Sequence, residues 1–117
     1  MKKITSIFLM AFATAFSPNA FANYACSGTV GYLGIEGNGN VVVALDNSTK
    51  IHKICSLDSQ GSYSMVISAC KATYSALLVA KTSGKSIKIY YYDNGYTCNT
   101  IPEWNIIHEA YFVEGPY

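Results

Sequence analysis

Three consecutive residues, Gly84-Lys85-Ser86, end the way a phosphate-binding loop ends. Such a loop needs a glycine five positions earlier, so that backbone N–H groups curl round a phosphate. That position holds Val79. The loop also has to lead from a strand into a helix whose N-terminus faces the anion. Here a helical pattern precedes Gly84 and a strand pattern follows it. Gly84 therefore reads as a left-handed helix cap, and Lys85 as the start of a strand. No nucleotide or other cofactor is predicted.

Cys26, Cys55, Cys70 and Cys98 are the next residues with chemistry of their own. A zinc site wants close Cys-x-x-Cys pairs. The nearest two cysteines here are 15 positions apart, and His52 and His108 are isolated from them. Four cysteines in a small exported chain predict two disulfides, with three pairings open, and no metal. Oxidised cysteines leave no thiol nucleophile. The acidic residues are scattered, with no spacing suited to paired-carboxylate chemistry, and nothing looks like a nucleophile elbow. The chain is not expected to be an enzyme.

Compartment is read from the N-terminus. "MKKITSIFLMAFATAFSPNAFA" has two lysines, an apolar run from Ile7 to Phe16 and an Ala-Phe-Ala ending. That is the pattern of a secretory signal peptide of bacterial style, residues 1–22, with cleavage before Asn23. The run is short for a bilayer span, and no later segment is long and apolar enough to be one. The remaining 95 residues, 23–117, are expected to form a single exported, soluble domain. Loss of Lys2 and Lys3 leaves six lysines against seven acids, and the chain has no arginine. Nucleic-acid binding usually rests on a basic patch with arginine forks, so that class of partner is excluded.

The elements follow from periodicity. Residues 27–37, 41–46 and 50–57 read as three strands in succession, joined by the turns "GNGN" and "DNST". From Met65 to Lys81 there is no Gly or Pro, and Cys70, Tyr74, Leu77 and Lys81 recur at helical spacing, with Val66 and Ile67 extending the face. Ser64 or Ser68 is the expected N-cap. In "KSIKIYYY" (85–92), Ile87, Ile89 and Tyr91 face one way, and Lys88, Tyr90 and Tyr92 the other. Residues 97–104 are expected as a fifth strand, with Pro102 marking an edge, and 110–113 as a short sixth. The class is mainly β with one helix (α+β), in the order β-β-β-α-β-β. That is the order of an OB-fold-like small barrel.

Three stretches carry a resemblance: "CSGTV" at 26–30, Cys55 with the Cys70 of "ISAC", and "SGKSIKIYYYDNGY" at 83–96. Over residues 26–96 the chain resembles the B subunits of bacterial AB5-type toxins, of the subtilase-cytotoxin and typhoid-toxin kind. It carries Cys26 and Cys98 where that family has a C-terminal cysteine pair. The resemblance implies a glycan-binding domain assembled as a homo-oligomeric ring, a pentamer. It also implies that Ser27 matches a serine that contacts sialic acid, and that a Cys55–Cys70 bridge pins the third strand to the helix. Cys26–Cys98 is the expected companion bridge, tying the first strand to the end of the barrel.

A sugar site needs a few orienting polar groups and an aromatic face. Tyr90, Tyr92, Asp93 and Asn94 are candidates beside Ser27. Each also has a structural reading: Ser27 as a strand-start hydroxyl, and Tyr90 and Tyr92 as cross-strand or subunit contacts. Trp104 reads as a core or interface anchor. Lys85 and Lys88 read as a solvated strand edge. The competing function is a small periplasmic accessory or inhibitor protein that binds another protein through the same barrel.

Overall fold

The computed structural model describes residues 23–117. The expected signal peptide, 1–22, lies outside the described residues. Five strands and one helix follow in the order β1 (Tyr24–Ile35), β2 (Asn40–Leu45), β3 (His52–Ser56), α1 (Ile67–Ser83), β4 (Ser86–Tyr91) and β5 (Ala110–Glu114). The strands lie side by side as β3-β2-β1-β4-β5, with every strand pairing antiparallel.

β1 is long because it serves two neighbours in turn. Its first half pairs with β4, and its second half with β2. The ladder slips between Val30 and Tyr32, at Gly31. A Cβ there would collide with the Asp46 carboxylate, which accepts a hydrogen bond from Thr29 Oγ1 at 2.9 Å. The bare glycine lets the strand bulge and bend, which is how one strand can belong to both halves of a barrel. Closure comes from a short parallel contact. Lys53 N–H donates to the Asn105 carbonyl (2.9 Å), and Ile107 N–H donates to the Lys53 carbonyl (2.8 Å). This is the OB-fold-like small barrel expected from the element order, with the helix between β3 and β4.

α1 packs on β1, β3 and β4. Its buried residues are Cys70, Thr73, Leu77 and Ala80. That stripe differs from the expected one: Lys81 and Val66 are exposed, and Tyr74 is only partly buried. Neither Ser64 nor Ser68 caps the helix. Val66 occupies the N-cap with no side-chain bond, Ser64 lies two residues before it, and Ser68 lies inside the first turn. Gly84 does end the helix, at φ 70°, a left-handed conformation that glycine adopts without strain.

The expected strand at 97–104 is not formed. Thr97 N–H bonds Thr100 Oγ1 at 2.7 Å, Thr97 Oγ1 bonds Asn99 Oδ1 at 2.8 Å, and the segment turns on itself. These short polar side chains offer the backbone a turn in place of a ladder. β5 is instead the short stretch expected at 110–113, one residue longer. The disulfides are Cys26–Cys98 and Cys55–Cys70. The first ties β1 to the long β4–β5 connection, and the second ties β3 to α1.

Ile87, Ile89 and Tyr91 point into the core, fully buried. A polar pair lies among them. His52 Nδ1 meets the Lys50 carbonyl at 2.7 Å, and Nε2 meets the Tyr91 hydroxyl at 2.7 Å. A carbonyl only accepts, so Nδ1 carries the proton and Nε2 accepts from Tyr91. Burial holds the imidazole pKa below its usual value and raises that of the Tyr91 hydroxyl well above it. Both groups are therefore neutral in the folded barrel.

Candidate binding faces

The outer side of β1–β4–β5 carries most of the residues singled out above. Ser27 is exposed and pairs in register with Lys88. The next outward residue of β4, Tyr90, pairs with Phe112 of β5, and their ring centroids lie 5.0 Å apart. Lys88 Nζ stands 5.9 Å from the Tyr90 ring centroid. Past the end of β4, Tyr92 stacks on Tyr111, with centroids at 4.1 Å and an interplanar angle of 17°. Tyr117 folds back through its N–H to the Ser86 carbonyl at 3.0 Å. Tyr92 and Phe112 are each 47% exposed. The result is one aromatic sheet surface with Ser27 and Lys88 at its margin.

Its polar groups are largely spoken for. The Tyr90 hydroxyl donates to Glu114. That bond raises the tyrosine pKa to about 12 and lowers that of the Glu114 carboxyl. Tyr90 is thus a fixed donor to a fixed carboxylate. Asp93 and Asn94 are not on this face but in the turn after β4. Asn94 Oδ1 accepts from the Tyr24 hydroxyl (2.9 Å) and from Tyr96 N–H (3.0 Å), while Nδ2 donates to Glu109 (3.2 Å). Asp93 Oδ1 accepts from Gly95 N–H at 3.1 Å. These two residues build the turn. Ser27, Tyr90 and Tyr92 are brought together, and Asp93 and Asn94 are not brought to them.

A second face lies across the barrel, on the outer side of β1–β2–β3. Gly34, Val42, Lys53 and Ile106 form a row across it in register. Tyr32 lies over Gly34, its ring 3.4 Å from where a Cβ would stand. Trp104 meets it edge-on, with centroids 6.0 Å apart and planes at 80°. Val42 points outward from the barrel, apart from the main core, yet is only 2% exposed because this face is roofed. Of the two places expected for Trp104, core or interface, it is not in the core: it is 47% exposed. Its backbone sits at φ 64°, and its N–H donates to the Ile51 carbonyl at 2.7 Å. A bulky residue in the left-handed region is rare. Glu36 and Lys53 form an ion pair at 3.1 Å beside the row, and Glu36 also accepts from Asn40 Nδ2 at 3.0 Å. The Asn40 bond, then Lys53, holds the Glu36 carboxyl below its usual range.

Tyr32, Glu36 and Lys53 drew no notice in the sequence. The signal that could have found them is the Tyr-x-Gly of "YLG": a glycine two residues on leaves room on the same strand face for the ring to lie flat.

No cavity opens in either face, and among the described residues no group of three His, Cys, Asp or Glu could hold a metal ion. What the surface offers is rings, hydroxyls and a few paired charges, which suits non-covalent binding. The fold and these faces define a small disulfide-bonded barrel of the OB kind. No family model, curated protein or solved structure matches the chain. Two disulfides, and no helix among the described residues long and apolar enough to cross a membrane, are compatible with an extracellular or periplasmic protein.

Proposed function

We propose that this chain is an exported, non-enzymatic binding domain of the toxin-B-subunit kind, which self-associates and presents glycan sites. The observation that carries this reading is the exposed aromatic surface of β4 and β5, with Ser27 at its rim. Among the described residues β5 has β4 on one side and no strand on the other. Its Phe112, with Tyr92 and Tyr111 beside it, forms an apolar area of the composition that protein interfaces favour. A second copy laid on this area would leave Ser27, Lys88 and part of Tyr90 at the margin, where a sialylated glycan could reach them. Closing such contacts into a ring, a pentamer by resemblance, would multiply weak sites into avidity.

Sedimentation of residues 23–117 tests the assembly: the native protein runs as an oligomer, and Phe112→Lys runs as a monomer. A glycan array tests the site: sialylated glycans bind, and Ser27→Ala removes the signal. A native monomer that binds no glycan would end this reading. The preassembled stack of Tyr92 on Tyr111, and the internal pairing of Tyr90 with Glu114, favour a second reading. In it, the same face docks a different protein, as an accessory or inhibitor would. A native monomer that binds no glycan but forms a stoichiometric complex with an exported protein would support that one.

A further inference from the structure

We propose that the corner between Tyr32 and Trp104, on the outer face of β1–β2–β3, binds a neutral hexopyranose ring, with Glu36 and Lys53 as its polar rim. The site is separate from the Ser27 face and does not rest on it.

The geometry is that of a floor and a wall. Tyr32 rests over Gly34, its ring 3.4 Å from where a Cβ would stand, and Trp104 stands at 80° to it. Neither ring is stacked face to face on another, and both remain 40–47% exposed. A pyranose presents C–H groups on one side and hydroxyls round its edge. Its C–H side suits the negative face of an aromatic ring, and indole offers the largest such face. The hydroxyls need both acceptors and donors close by. Glu36 takes both of its bonds, from Asn40 and Lys53, on Oε1, which leaves Oε2 to accept from a hydroxyl. Lys53, beyond Val42 in the row and paired with Glu36, supplies N–H donors.

Two further observations point the same way. Trp104 is held in a conformation that its own type disfavours, and its exposed position gives no packing reason for it. Backbone strain of this kind collects where a side chain has to be presented. The placement also matters. Trp104 comes from the β4–β5 connection, and Glu36 stands where β1 gives way to the β1–β2 turn. In barrels of this type, the β2–β3 face flanked by these two connections is where oligosaccharides and oligonucleotides bind. The charge balance selects between them. Lys53, in the row of this face, is already paired with a carboxylate, and the chain has no arginine, so a phosphate backbone would find little positive field there.

Trp104 is the only tryptophan, so its fluorescence reports on the site directly. The test is a titration of the native protein with methyl glucopyranoside, methyl galactopyranoside and methyl N-acetylglucosaminide, with glycerol as the solvent control. The expected result is a saturable emission shift with at least one sugar, at a Kd of about 1 mM or tighter, and none with glycerol. Gly34→Leu lifts Tyr32 from the floor while keeping the reporter, and should weaken binding at least about tenfold. Trp104→Asn keeps a residue that tolerates the left-handed backbone. Sugar-observed NMR should show binding lost in that variant and kept in Ser27→Ala. No saturable shift with any of the three sugars would overturn the proposal. So would binding that survives Trp104→Asn. If Ser27→Ala abolishes glycan binding while Trp104→Asn does not, this corner is not the site and the Ser27 face stands alone.

Discussion

The two outer faces of the barrel spend their aromatic residues in opposite ways. On β1–β4–β5 the rings are paired with each other: Tyr92 on Tyr111 at 4.1 Å, and Tyr90 with Phe112 at 5.0 Å. On β1–β2–β3 Tyr32 and Trp104 meet edge-on at 80°, and each keeps exposed ring surface. Paired rings make a broad, level apolar surface, which suits another protein. Rings at right angles present ring surface in two directions at one point, which suits a small rigid ligand. Composition does not distinguish these uses; the angle between the rings does.

The largest effect should come from the side of β4 that both faces depend on. Tyr91 is fully buried, stacks on Tyr24 at 4.8 Å and donates to His52. Tyr91→Ala should cost about 3–5 kcal/mol, the range for large aromatic truncations in cores, and it also leaves the buried imidazole without its partner. Tyr90→Ala, one residue along and pointing outward, should cost clearly less. Urea unfolding of the two variants decides it. Equal losses would mean that the outer face is buried too, in an assembly that forms under the conditions of the measurement.

A difference of that size between neighbours was legible in the sequence, because period-2 alternation in "KSIKIYYY" needs no tertiary information. The order of the elements was legible for the same reason. What was not legible depends on contacts made elsewhere. Residues 97–104 look strand-like because Cys98, Ile101 and Trp104 are apolar. In the fold Ile101 is a buried peg, Cys98 is bonded to β1, and Thr97 and Thr100 close a turn. The helix face was misjudged because buried Thr73 is less apolar than the Tyr74 beside it, and small Ala80 is buried in place of the Lys81 beside it. For Trp104 residue type left core and interface open, because it says how much surface a side chain has and not whether the chain covers it; the core half of that reading is not met. Of the glycan candidates, Ser27, Tyr90 and Tyr92 share a face because β1 pairs with β4. Asp93 and Asn94 close a turn through local bonds to Gly95 and Tyr96, as "DNGY" suggests, and the bonds of Asn94 to Tyr24 and Glu109 depend on the fold.

The next effect separates the faces by cutting a covalent tie. Cys26–Cys98 closes a loop with a sequence separation of 72 and anchors the connection that carries Trp104. Replacing both cysteines by alanine should cost about 4 kcal/mol by loop-closure entropy. The Trp104 emission should move toward that of a solvated indole at denaturant concentrations where the β4–β5 aromatic surface is still formed. The Cys55–Cys70 bridge spans only 15 residues. Its removal should cost about 3 kcal/mol and leave the emission of the folded state unchanged. Identical emission in the two variants would show that the Trp104 loop holds itself without the bridge.

The smallest effect is a pH dependence, and it links the two halves. His52 lies on β3, beneath the second face, and Tyr91 lies on β4, beneath the first. Their hydrogen bond crosses the barrel interior. Desolvation holds the folded-state pKa of His52 below its usual value, although the Lys50 carbonyl works against this. The unfolded chain therefore takes up a proton that the folded barrel refuses. Stability is full above the unfolded histidine pKa of about 6.5. It declines as pH falls from there toward the lower folded value, and no further loss from this group occurs below it. The measurement is the urea midpoint between pH 8 and pH 5, for the native chain and for His52→Asn. The native midpoint should fall more steeply than that of the variant, because the variant has no proton to gain at this position. Parallel curves would mean that the imidazole titrates alike in both states, and that the Tyr91 bond survives protonation by reversing its direction.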